Sequence, residues 1–214
     1  MSTTVQNLTG IDVSHYQGDI NWQEVAANPT SFAIIKATQG TGFVDPMFQT
    51  NWQGANAAGL RTGAYHYFMP EKSFLEQADL LLTQLKAVGY DASADLPPAI
   101  DCEVMDGVSN AAYTFALSSL VDILRRQLGV SPMIYTAPAF WDALGDPDFS
   151  ECPLWIANYT SADQPTLPGS WSGYAIWQYT SEGSVNGVEG NVDRNRLGND
   201  VSALTSARRV LDWF

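Results

Sequence analysis

The chain is poor in positive charge. Ten Lys and Arg stand against 23 Asp and Glu, a formal net charge of −13 over 214 residues. No basic cluster is larger than the pairs Arg125-Arg126 and Arg208-Arg209. Binding to nucleic acid or to an anionic membrane surface needs Lys and Arg gathered on one face, so neither partner is expected. Cysteine is nearly absent. Cys102 and Cys152 lack the CxxC spacing of a zinc site and are too few for a disulfide framework; Cys102 reads as a small buried hydrophobe. No apolar run approaches the roughly 20 residues of a membrane span, so no membrane insertion is expected. Between Met1 and Asn7 no basic segment leads into an apolar one, so no Sec signal is visible. Long low-complexity linkers and sequence repeats are also missing, which points to a single domain.

What is present is a large apolar fraction, 45%, with seven Trp among the aromatics. Apolar stretches alternate with helical patterns. Gly10 to Ser14, Phe32 to Thr38, Arg61 to Phe68, Pro97 to Val104, Met133 to Thr136, Pro153 to Tyr159 and Tyr174 to Tyr179 read as strands, with an eighth near Val192-Asp193. Helices are expected from Trp22 to Ala27 behind an Asn21 cap, from Pro46 to Ala58, from Ser73 to Val88, from Ser109 to Leu128 and from Pro138 to Leu144. A last helix is expected over 199–214, capped by Asn199 or Asp200. Strands alternating with helices imply a parallel sheet. The pattern predicts the α/β class: an irregular single-domain β/α barrel, TIM-barrel-like, with about eight strands and fewer helices in its second half.

The stretch Ala99-Ile100-Asp101-Cys102-Glu103-Val104 carries two acids on an otherwise apolar strand. Strand side chains alternate, so Asp101 and Glu103 share one face, roughly 6–7 Å apart along the strand, and Cys102 takes the other. Buried charge must be compensated, so such a strand is costly for stability alone. Paired carboxylates in unlike surroundings are a common way to make one acid and one base. The plainer reading makes Asp101 a cap and Glu103 a solvated strand end. In β/α barrels chemistry sits at the C-terminal ends of the strands. Asp12, Lys36, Tyr65, Asp101, Glu103, Tyr135, Trp155 and Gln178 all fall late in expected strands, and that convergence favours catalysis.

Several motifs in order resemble a known family. Gly10-Ile11-Asp12-Val13-Ser14 with Tyr16-Gln17-Gly18 is similar to the opening of the glycoside hydrolase family 25 lysozymes. Ala33 to Gly40, Val44-Asp45-Pro46, Gly63 to Phe68, Asp101-Cys102-Glu103, Trp155-Ile156-Ala157, Trp177 to Ser181 and Gly190 to Asp193 follow in the family's order. The likeness spans residues 8–198. It implies an N-acetylmuramidase that cuts the β-1,4 bond from N-acetylmuramic acid to N-acetylglucosamine in peptidoglycan, without metal or cofactor. It implies Glu103 as proton donor, Asp101 as its partner carboxylate, and Asp12 and Asp193 as the rest of an acidic cluster. Lys36, Tyr65, Tyr135, Trp155 and Gln178 become sugar contacts. The expected partner is the peptidoglycan glycan strand and the expected state a monomer. The expected place of action is the cell wall, reached as a phage endolysin released by other machinery or as a secreted enzyme whose signal has been removed. Nothing like a cell-wall-binding module follows the barrel.

Other readings stand beside these. Asp193 read alone is a turn residue, and Lys36 serves equally as structural neutralisation of the acids. His66 alternates away from Tyr65 and Tyr67, which suits a satisfied core histidine. Arg194 and Arg196 stand where the family more often has uncharged residues; they fall on the groove rim or are simply solvated. A glycan-binding barrel without turnover, and a hydrolase of another N-acetylhexosamine polymer such as chitin, are the rival functions.

Overall fold

The computed structural model describes residues 8–198 together with Asp200 and Leu204. The expected helix over 199–214 lies outside the described residues. Nine strands are seen: β1 (Thr9–Val13), β2 (Thr30–Gln39), β3 (Phe43–Val44), β4 (Arg61–Tyr67), β5 (Ala99–Asp101), β6 (Met133–Thr136), β7 (Leu154–Ala157), β8 (Ile176–Gly183) and β9 (Val192–Leu197). Five helices accompany them: α1 (Trp22–Ala27), α2 (Phe48–Ala57), α3 (Phe74–Ala87), α4 (Asn110–Leu128) and α5 (Pro138–Ala143).

The strands lie in the order β1-β9-β8-β7-β6-β5-β4-β2-β3, and a β1–β2 pairing closes all but β3 into a ring. The result is an irregular β/α barrel. One expectation fails: the sheet is mixed, because β9 runs antiparallel to both β8 and β1. The reason is chain length. Only residues 184–191 join β8 to β9, and a parallel crossover needs a dozen or more residues. No helix is described between β7 and β8 or between β8 and β9. β3 was not foreseen; it pairs antiparallel with the end of β2 and stands outside the ring.

Alternation sorts the strands into two cores. Ile11, Val13, Ile35, Ile100, Ile134, Ile156 and Trp177 face outward and pack beneath the helices. Phe32, Ile34, Ala99, Met133, Trp155, Ile176 and Leu197 fill the barrel. Read upward along β2, the inward positions run Phe32, Ile34, Lys36; along β5, Ala99, Asp101; along β6, Met133, Tyr135; along β8, Ile176, Gln178. Apolar residues thus plug the lower barrel, and polar ones are left at the C-terminal ends of the parallel strands. Antiparallel β9 reverses the order, with Asp193 and Asn195 above Leu197. Gly10 is part of this plug: a Cβ there would lie 2.4 Å from the Phe32 ring.

Local chemistry sets the element ends. Asn21, Ser73 and Ser109 cap α1, α3 and α4 by accepting a backbone N–H from the first turn. Gly129 ends α4 in the left-handed region, at φ 72°. α2 begins at Phe48 rather than at Pro46, because Asp45 takes the Met47 and Phe48 backbone N–H groups first. The segment after β1, expected as a loop, forms one 3-10 turn over His15–Gln17. Ser14 and Gln17 cap it reciprocally.

Candidate active site

A pocket of about 140 Å³ opens at the C-terminal end of the barrel. Asp12, Asp101, Glu103 and Asp193 line it together, so the acids expected to cluster do so. Tyr65, Tyr135, Trp155 and Gln178 form its walls, joined by Tyr159. Lys36 is not among the lining residues. It lies beside them, buried, with Nζ donating to Gln39 Oε1 at 2.9 Å and 4.9 Å above the Tyr67 ring.

The acidic strand is shorter than expected. β5 stops at Asp101, so Glu103 does not share a strand face with it. The backbone nevertheless continues under control. Cys102 N–H donates to the Tyr135 carbonyl at 2.9 Å, and Thr136 Oγ1 donates to the Cys102 carbonyl at 3.0 Å. These bonds deliver Glu103 to the pocket from the start of a loop, where its side chain is exposed. Cys102 points away into the outer core and is fully buried; Cys152 is also buried, and both are free thiols.

Asp12 is the best supported of the acids. Its Oδ2 accepts from Gln178 Nε2 at 2.9 Å and from Asn195 Nδ2 at 2.7 Å. Gln178 Oε1 in turn accepts from the Tyr135 hydroxyl at 3.0 Å and the Tyr159 hydroxyl at 2.8 Å. Asn195 Oδ1 accepts from the Trp155 indole at 2.8 Å. One network therefore runs over β1, β6, β7, β8 and β9. Both the nitrogen and the oxygen of the Gln178 side-chain amide are engaged, so its orientation is fixed by the protein. Trp155 is wedged edge-on between Tyr65 and Tyr135, with ring centroids 6.2 and 4.6 Å away. Asn195 and Tyr159 were not anticipated. Asn195 is legible only once β9 is known to lie antiparallel beside β1.

Asp12 and Asp193 are register partners on β1 and β9. Like charges directly opposite each other repel. Burial and then Asp193 push Asp12 up to about 8, against the pull of its amide donors. Burial and Glu103 push Asp193 up to about 6. Asp101 is raised well above the usual carboxylate range by burial and by Glu103, with Lys36 opposing. Glu103 is raised by partial desolvation, again opposed by Lys36. Asp101 Oδ1 is buried without a hydrogen-bond partner. A buried unpaired carboxylate oxygen is costly to ionise, in keeping with the upward push that burial gives Asp101. Among the described residues, no group of three or more His, Cys, Asp or Glu is arranged to hold a metal ion.

A barrel with four acids crowded at its catalytic end is the arrangement expected of a glycosidase, and the comparison with known proteins agrees. The family model described as glycosyl hydrolases family 25 matches residues 11–188. The chain belongs to glycosyl hydrolase family 25. Lysozyme M1 of Streptomyces globisporus is 32% identical over 207 residues, which covers 92% of this chain and 70% of the relative. The N,O-diacetylmuramidase of Chalaropsis sp is 31% identical, over 87% of this chain and 96% of that one. The crystal structure of the bacterial lysozyme from Streptomyces coelicolor superposes with a TM-score of 0.85 at 32% identity, over 95% of this chain and 96% of the other. This family 25 protein is thus a glycoside hydrolase with the barrel fold of its relatives.

Two outlying groups of the hydrolase are structural. His66 is fully buried between Thr38 Oγ1 at 2.7 Å and Gln77 Oε1 at 3.0 Å. Burial lowers it to about 4, which keeps it neutral. Arg196 leaves the groove altogether. It sits on the outer face of β9 over the rings of Trp177 and Tyr179, at 4.4 and 4.5 Å. Arg194 faces the same way and donates to the Ser184 carbonyl at 3.1 Å.

Proposed function

We propose that this hydrolase is a lysozyme. It cleaves the β-1,4 bond between N-acetylmuramic acid and N-acetylglucosamine in peptidoglycan, with Glu103 as general acid and then base and with Asp101 holding the substrate's acetamido group. The observation that carries the reading is the buried, unpartnered Asp101 Oδ1 beside Glu103. Asp101 also lines the pocket, so an acetamido N–H that enters it is a donor this under-satisfied carboxylate can take. Before substrate arrives, Asp101 and Glu103 compete for protons, since each disfavours the other's charge. A hydrogen bond from the acetamido nitrogen favours the charged form of Asp101 and leaves the proton on Glu103, where the leaving oxygen needs it.

In the first step Glu103 protonates the glycosidic oxygen as the acetamido oxygen attacks the anomeric carbon. The C–O bond to the leaving sugar breaks, and a cyclic oxazolinium forms whose positive N–H rests on Asp101. In the second step Glu103 takes a proton from water, the water oxygen bonds to the anomeric carbon, and the ring reopens. Two displacements give net retention. Substrate assistance of this kind is a known exception to the two-carboxylate scheme. Asp193, once ionised above about pH 6, supplies negative potential to the oxocarbenium-like transition state, while Asp12 keeps its proton up to about pH 8 and anchors the amide network beneath it; Tyr65, Tyr135, Trp155 and Gln178 shape the sugar site.

Two measurements test the reading. Glu103→Gln keeps the shape and removes the proton. It is expected to melt like the wild type and to lose at least about a hundredfold in clearing of purified peptidoglycan, in line with the worth of a general acid; near-normal turnover would sink the assignment. Proton NMR of the first-formed product is expected to show the β anomer. Initial α anomer would rule out acetamido participation and leave direct attack by water.

A further inference from the structure

Muramic acid differs from N-acetylglucosamine by a lactyl ether on O3, and the lactyl carbonyl carries the stem peptide of peptidoglycan. O3 lies one carbon from the acetamido group. A site that holds the acetamido on Asp101 therefore has the lactyl branch close by. Lys36 stands at the pocket edge, its Nζ 5.9 Å from the ring centre of Tyr65, one of the pocket walls. The lysine's charge acts on both Asp101 and Glu103, yet among the described residues it makes no ion pair. An ammonium has three donors, and Gln39 occupies one. Nζ is steadied by the rings of Tyr67, Phe43 and Tyr65, at 4.9, 5.8 and 5.9 Å from their centroids. The barrel has thus placed a cation with spare donors at the edge of a pocket otherwise lined by acids.

Outward from Lys36 the surface changes character. Phe43 and Val44 of β3 are 39% and 37% exposed, and Tyr16 is 82% exposed. The His15 ring joins them, 5.8 Å from Phe43 and 4.2 Å from Tyr16. This rim is anchored from below. Buried Asp45 takes His15 Nδ1 at 2.7 Å, the His15 backbone N–H at 3.1 Å and the Met47 backbone N–H at 2.9 Å. β3, which adds nothing to the closed ring, serves to hold Phe43 in this position. An apolar strip that starts near a cation at the pocket edge fits a branch that begins with a carbonyl and continues through the methyl of an alanine.

We propose that Lys36 receives the lactyl carbonyl of N-acetylmuramic acid and that the Phe43–His15–Tyr16 rim receives the first residues of the stem peptide. The inference rests on the reading above, with Asp101 on the acetamido group of the muramic acid. It makes the β2–β3 edge the part of the enzyme that separates peptidoglycan from chitin.

The test uses Glu103→Gln as a non-cleaving trap and isothermal titration with three probes: chitotetraose, the peptide-free tetrasaccharide of alternating N-acetylglucosamine and N-acetylmuramic acid with each lactyl carboxyl capped as its methylamide, and the same tetrasaccharide bearing its stem peptides. The trap is expected to prefer the peptide-free muramyl probe over chitotetraose by about 10- to 100-fold, the range for a hydrogen bond from a charged donor. Adding Lys36→Met should bring that ratio close to one, and adding Lys36→Arg should retain most of it. Adding Phe43→Ala and Tyr16→Ala should remove the extra affinity gained from the stem peptide while the lactyl ratio stays. Melting curves check each variant, and Lys36→Gln replaces Lys36→Met if the latter unfolds. A lactyl preference that survives the loss of Lys36 overturns this inference alone. A folded trap that binds none of the probes overturns both it and the muramidase reading.

Discussion

At the scale of single residues, the site is a set of inward positions whose neighbours decide what each can do. Asp12 and Asp101 are both buried acids, but Asp12 receives two amide donors and Asp101 Oδ1 receives none. That difference separates a carboxyl held in place by the protein's own amides from one with an oxygen left unpaired. The sequence made the acids themselves legible, since Asp101 and Glu103 interrupt an apolar run and Asp12 and Asp193 sit in recognisable motifs. It did not reveal Asn195, whose value comes from facing the β1 strand, nor the exclusion of Lys36 from the pocket lining, which depends on where rings from β3 and β4 meet. Gly10 offers a test of the plug beneath the site. Gly10→Ala drives a methyl into the Phe32 ring and is expected to cost at least about 2 kcal/mol, within the range for overpacking. A urea denaturation midpoint equal to the wild type's would show that Phe32 has room to move.

At the scale of elements, helices were easier to read than strands. α1, α3 and α4 lie where their caps put them, because capping residues act over one turn of chain, and α5 lies where Pro138 opens it. Strand ends are set by partners distant in sequence. β5 runs only to Asp101, because its pairing to β4 and β6 stops there; the residues up to Val104 look equally strand-like in isolation. The direction of β9 was likewise invisible to composition, and the length of its connection decides it. Capping supplies the prediction at this level. Ser109→Ala removes the acceptor for the Ala112 N–H, 3.3 Å away, and should destabilise the protein by about 1 kcal/mol. Since Ser109 lies at the start of α4 and outside the pocket lining, kcat on peptidoglycan should be unaffected; a fall in kcat at equal stability would tie α4 to the chemistry.

At the scale of the whole molecule, the acid cluster links the site to stability. Asp12 is raised from 3.8 to about 8 and Asp193 from 3.8 to about 6. Between about pH 4 and pH 8 the folded protein therefore holds protons that the unfolded chain has released. Stability must fall as pH rises through that window, and the two acids add no further slope above it. The formal charge of −13 works in the same direction, because self-repulsion grows as carboxylates ionise. The melting temperature is expected to be higher at pH 5 than at pH 8. Asp12→Asn, which cannot ionise, should narrow the difference. A melting temperature that rises from pH 5 to pH 8 would contradict the buried, proton-holding cluster.

The antiparallel last strand also bears on when the enzyme comes into being. β9 is the seam between β1 and β8, so the ring closes only when residues 192–197 are in place. Asp12, near the start of the chain, obtains one of its two amide donors and its facing acid from β9. A nascent chain that has not yet released residues 192–197 therefore carries an open sheet in which Asp12 lacks both Asn195 and Asp193. The acid cluster assembles only once β9 has docked between β1 and β8.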